Sequence, residues 1–145
     1  MAKRGSSGPS STPLSAPPQR RTLAATRHSV THKFAINGHE GYLTVGLFED
    51  GTPGEIFIKM SKEGSTLSGL IQAFCRAFSL AIQFGLPLGE AVARFKDMRF
   101  EPMGATSNPE LPEAKSIVDY AARYLEFHYL PGASSAGGSG TGEST

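Results

Sequence analysis

The 145-residue chain carries 14 Lys or Arg against 13 Asp or Glu, and one cysteine, Cys75. That length suits one domain. A lone thiol excludes an intramolecular disulfide and a zinc site built on cysteines, and no apolar run reads as a membrane span of about 20 residues. The near-neutral total hides an asymmetry. Residues 1–27 hold five basic side chains (Lys3, Arg4, Arg20, Arg21, Arg27) and no acid, whereas residues 28–130 hold nine Lys or Arg and twelve Asp or Glu.

The composition divides the chain in three. Residues 1–27 are rich in Ser, Pro and Arg, and residues 131–145 in Gly, Ser and Thr. Neither stretch has the apolar surface to offset the entropy of ordering it, so both are expected as disordered tails around a folded unit at 28–130. A basic tail suits an acidic partner or nucleic acid, but five dispersed charges read as a solvated linker, and no nucleic-acid partner is expected. The amino-terminal stretch lacks a signal-peptide apolar core. Its Arg and Ser content is that of a transit peptide, but Pro9, Pro13, Pro17 and Pro18 oppose the amphipathic helix such peptides form. A reducing, cytoplasmic setting without a membrane is expected.

Three strands come first. In Thr31–Asn37, His32, Phe34 and Ile36 share a face. In Gly41–Asp50, Leu43, Val45 and Leu47 oppose Tyr42, Thr44 and Phe48. In Glu55–Ser61, Ile56, Ile58 and Met60 oppose Glu55, Phe57 and Lys59. Period two is the strand signature. Asn37-Gly38 and Asp50-Gly51-Thr52-Pro53-Gly54 are turn sequences, and short loops join antiparallel neighbours.

Helices follow. Ser65 or Thr66 caps the first, whose apolar face is Leu67, Leu70, Ile71, Phe74, Phe78, Ala81 and Ile82. Gln72, Arg76, Ser79 and Gln83 form the opposite polar stripe, and Gly85 ends it. Pro87 opens a shorter helix to about Lys96. Residues 99–111, broken by Pro102, Gly104 and Pro109, form a loop or extended arm. A third helix runs from near Pro112 to Pro131-Gly132. The fold class is α+β: a small antiparallel meander of about three strands with about three helices packed on one face.

Candidate chemistry is sparse. The Lys62–Gly69 loop enters a helix amino terminus, so Lys62, Gly64, Ser65 and Thr66 are candidate phosphate or nucleotide contacts, although P-loop spacing is absent. His28, His32 and His39 cluster in sequence, with His32 and His39 facing each other across the first hairpin, but match no zinc spacing, and no metal is expected. Cys75 is mid-helix, where a buried inert thiol is the default. The segment Asp97–Pro102 alternates charged with apolar residues and suits either docking on another surface or covering its own sheet edge. No catalytic residue emerges. Tyr42, Phe48 and Phe57 on the sheet face away from the helices, with Arg99 and Phe100 on the arm, are the candidate partner interface.

Ser29–Phe74, then "LAIQFGLPL" (Leu80–Leu88), "RFEPMGATSNPE" (Arg99–Glu110) and "AKSIVDY" (Ala114–Tyr120), closely resemble the carboxy-terminal (TSCPD) domain of adenosylcobalamin-dependent, class II, ribonucleotide reductases. The resemblance covers about residues 27–127. It implies participation in reducing ribonucleoside diphosphates to deoxyribonucleotides for DNA synthesis, through a cobalamin-generated thiyl radical and a reducing cysteine pair. The family's catalytic barrel, radical cysteine, cysteine pair and cobalamin site have no counterpart in these residues, and a Gly/Ser stretch stands where the family often has a cysteine-rich end. The resemblance thus implies a component that binds no cofactor alone. It would act as a separate small subunit on a catalytic class II chain that holds adenosylcobalamin; some members divide the reductase between two polypeptides. The alternative is a free-standing nucleotide-binding or regulatory module that kept the fold and lost the reductase.

Overall fold

A computed structural model describes residues 19–132; the expected tail segments 1–18 and 133–145 lie outside them. Strands β1 (Ser29–Ile36), β2 (His39–Leu47) and β3 (Pro53–Met60) form an antiparallel sheet in that order. The first hairpin turns on two residues, Asn37 at φ 50° and Gly38 at φ 83°. Two consecutive positive φ values give the turn whose twist matches paired strands, which is why Asn-Gly stands there.

The period-two pattern sorts the faces as expected. Phe34, Ile36, Leu43, Val45, Ile56, Ile58 and Met60 are buried on one face, each burial contributing about 1.5–3 kcal/mol for a large aliphatic or aromatic side chain. The other face stays open. There Lys33, Tyr42 and Lys59 form one row across the three strands, and Thr31, Thr44 and Phe57 the next.

Phe48 departs from its expected exposure. The β2–β3 register shifts at Gly46/Leu47 and β2 ends at Leu47. Phe48 lies outside the main core cluster, yet it is only 8% exposed because the amino-terminal segment covers it, with the Arg21 guanidinium 3.7 Å above its ring.

Helix α1 (Ser65–Gln83) runs along β3. Its amino-terminal cap position is Gly64, without a side-chain cap bond, rather than the expected Ser65 or Thr66. Its end is as expected: Gly85, at φ 112°, donates to Ile82 O, and Leu86 N–H reaches Ala81 O, the paired bonds of a Schellman motif. By length and composition α1 is apolar enough to cross a membrane, contrary to the sequence expectation. In the fold, Ile71, Cys75 and Phe78 are buried, and Phe74 and Phe78 meet Phe95 of α2 (Leu88–Phe95) at ring distances of 5.0 and 5.9 Å.

Helix α3 (Ile117–Tyr129) starts later than expected. Residues Glu113–Ala114 (β5) instead pair with Gly104–Ala105 (β4), and Ser116 caps the helix by accepting the Asp119 N–H at 2.9 Å. Tyr120 stacks on Phe34 at 4.8 Å, fixing α3 under β1. Leu70 also departs from its expected place: it is 64% exposed, on the side of α1 away from the sheet.

Candidate docking site

The β3 edge and the end of the β1 edge are covered by the chain itself, while one face of the sheet stays open. On the β1 edge, Asn37 N–H donates to Ala105 O, Ser107 N–H to Ala35 O, and Ala35 N–H to the Ser107 hydroxyl. The chain after Pro102 therefore covers its own sheet edge. The preceding residues are tied to α3. Asp119, 1% exposed, accepts the Asp97 N–H at 2.6 Å, the Lys115 N–H at 2.9 Å and Arg123 Nε at 2.9 Å. Asp97 itself pairs with Lys115 and Arg123, and the Lys115 hydrogen bond leads in lowering its pKa.

The β3 edge is closed by side chains of α1. Ser79 Oγ accepts the Ile56 N–H at 2.9 Å and faces Ile56 O at 3.4 Å. The Gln83 amide donates to Gly54 O at 2.7 Å. Cys75 receives the Ile58 N–H, yet burial pushes its thiol pKa up to about 12, so it is no nucleophile. Ser79 and Gln83, expected on a solvent-facing stripe, are buried because they satisfy strand groups that would otherwise be unpaired.

Residues 19–27, assigned from sequence to the tail, lie against this same region. Arg20 Nε donates to Gln83 Oε1 at 2.7 Å, Arg21 N–H to Gln83 O at 2.8 Å, and Arg27 pairs with Glu55 at 2.8 Å. Arg21 also reaches Asp50, whose pKa is held at about 2, chiefly by the Thr52 hydroxyl and N–H.

The sequence-derived site residues separate into four places. Tyr42 and Phe57 stay together on the open face, 42% and 55% exposed. Phe48 is buried, as above. Phe100 packs against the core, while Arg99 is exposed on the far side, beside a second groove that Arg123 also lines. Lys62, Gly64, Ser65 and Thr66 gather, exposed, at the start of α1, with Lys62 at φ 65°. That start offers uncapped amides and a cation, the elements of the phosphate contact read from the sequence.

His32 and His39 do not face each other: His32 is opposite Leu43, and His39 opposite Ile36. His32 Nε2 is 2.8 Å from the Tyr120 hydroxyl, and its ring stacks on Tyr124 at 4.5 Å. His39 pairs with Glu63 at 2.6 Å. Among the described residues, no three His, Cys, Asp or Glu side chains gather as metal ligands. Neither groove has a histidine in its lining.

What sequence reading missed is a groove of about 850 Å³ between β3 and α1. Its walls carry Tyr42, Phe57 and Lys59 on one side and Arg76 and Leu80 on the other, with Arg20 also in the lining. The signal was present, since Phe57 and Lys59 alternate on β3 and Gln72 and Arg76 sit together on α1. The sideways placement of α1 that joins them is a tertiary fact.

The architecture is thus a small α+β domain with one open sheet face. The chain belongs to the TSCPD domain family, whose model matches residues 15–129. Similar proteins include vitamin B12-dependent ribonucleotide reductases. That of Rhodopirellula baltica is 55% identical over 115 residues, covering 79% of this chain and 11% of the relative. That of Streptantibioticus cattleyicolor is 46% identical over 114 residues, 79% of this chain and 19% of the relative. That of Bradyrhizobium diazoefficiens is 42% identical over 113 residues, 77% of this chain and 9% of the relative. The chain therefore spans about a fifth or less of each of these reductases. No solved structure matches it.

Proposed function

We propose that this domain is a docking component of a vitamin B12-dependent ribonucleotide reductase. It works as a separate small subunit on a catalytic chain and contributes no reacting group. The observation that carries this reading is the 55% identity to one segment of such a reductase, joined to a fold whose one cysteine is buried and unreactive. Adenosylcobalamin belongs to the catalytic chain in this reading. The reaction is the reduction of ribonucleotides for DNA synthesis, in the cytoplasm.

The exposed pair Tyr42 and Phe57 supports the open sheet face as the contact surface. Aromatic side chains anchor interfaces because they bury large area at small entropic cost. Arg99 adds a polar contact at the opposite flank. The test is turnover of the purified catalytic reductase chain from the same cell, measured with and without this protein. A saturable change in rate or in stability of the catalytic chain is expected. Identical turnover at all ratios, with no complex on gel filtration, would refute the reading.

A further inference from the structure

The groove between β3 and α1 has a charge character that the function above does not use. Glu55 is the one acid in its lining, and Arg27 neutralises it at 2.8 Å. Against it stand Lys59 and Arg76, neither with an ion-pair or hydrogen-bond partner among the described residues, and Arg20, whose Nε is held by the neutral Gln83 amide. Phe57 and Tyr42 give the positive groove an aromatic wall, and Leu80 an apolar one.

The groove is also long. Its α1 lining runs from Ser68 to Gln83, about 22 Å at the helical rise. Its β3 lining runs from Glu55 to Met60, about 17 Å of extended chain. These lengths match a peptide of about six residues lying parallel to β3. Such a segment would not add to the sheet as a strand, because Ser79, Gln83 and Cys75 already bond the edge groups of Ile56, Gly54 and Ile58. Recognition therefore falls to charge and to side-chain packing.

The matched segment begins at residue 15, shortly before Arg20.

We infer that the groove is a docking site for an extended acidic segment of the reductase partner, with carboxylates on Lys59 and Arg76 and an apolar side chain between Phe57 and Leu80. The inference rests on the function proposed above for the identity of the partner, but its chemistry is tested without the reductase.

The experiment titrates the full-length, nitrogen-15-labelled protein with three probes: a short peptide alternating Glu and Leu, its Lys-for-Glu counterpart, and ATP. The Glu peptide is expected to shift the amides of Phe57, Lys59, Gln72 and Arg76. Its affinity should fall about tenfold or more in about 0.5 M salt, and by a similar factor in Arg76→Glu, a change at an exposed position. Equal binding of the Lys peptide, shifts confined to other residues, or no shifts with any probe would overturn the assignment. Shifts of these same amides by ATP but not by the Glu peptide would overturn it too, in favour of a nucleotide site. None of these outcomes alters whether the protein binds a reductase, which the turnover experiment decides separately.

Discussion

The Ser79 hydroxyl bridges the free edge of the sheet at Ile56, accepting its N–H at 2.9 Å and facing its carbonyl at 3.4 Å. One side chain of α1 thereby satisfies both outward-facing groups of an edge-strand residue. Ser79→Ala leaves the Ile56 N–H and C=O buried without that partner, which costs about 1–3 kcal/mol. Urea unfolding should register this as a lower midpoint with an unchanged slope. Gln72→Ala, exposed on the same helix, should stay within about 0.5 kcal/mol of the parent.

Asp119 joins three segments through a carboxylate that is 1% exposed. Asp119→Asn keeps the shape but removes the charge that holds Arg123 and shortens the Asp97 contact to 2.6 Å. Because Arg123 is partly exposed and keeps Asp97, the loss is that of the charge-assisted hydrogen bonds, about 1.5–3 kcal/mol. Thermal unfolding should show the loss, and amide exchange should quicken first at Asp97 and Lys115.

Burial lowers the pKa of His32, and the nearby His128 lowers it further. A histidine whose folded pKa lies below its unfolded value of about 6.5 binds fewer protons folded than unfolded in the interval between them. Stability therefore rises with pH through that interval and is lost as pH falls from about 6.5 through the folded value. His32→Gln should flatten the stability profile between about pH 7 and pH 5. The lowered pKa values of Asp97 and Asp50 act at lower pH: their contribution is present above the ordinary carboxylate value and is lost as pH falls below about 4.

Cys75 is 3% exposed with a pKa of about 12. An aromatic disulfide reagent at about pH 8 should label it only as fast as the native structure opens. Rapid stoichiometric labelling of the folded protein would contradict this geometry.

The parts legible in the sequence are those governed by local periodicity. Phe34, Leu43, Val45, Ile56 and Ile58 alternate because one sheet face is dry, and Asn37-Gly38 and Gly85 mark backbone positions at positive φ. The parts that were not legible depend on partners distant in the chain. Ser79 and Gln83 read as a solvent stripe because a helix pattern does not reveal a sheet edge lying beside it. Phe48 read as exposed because the segment that covers it, with Arg21 over its ring, read as part of a tail. Strands β4 and β5, two residues each, are too short for any period, so α3 was expected about five residues early. Tyr42 and Phe57 were found because alternation alone places them, whereas the groove beside them requires knowing where α1 lies.

The central claim is that the open sheet face meets a reductase chain. Its most direct test is a binding titration of the full-length protein with the purified vitamin B12-dependent ribonucleotide reductase of the same organism, alongside a Tyr42→Ser/Phe57→Ser variant. Both residues are exposed, so the variant should keep its fold, with unfolding within about 1 kcal/mol of the parent. The account predicts saturable binding by the parent and a loss of at least about tenfold in the variant. Absence of binding by the parent, or equal affinity of parent and variant, would contradict it.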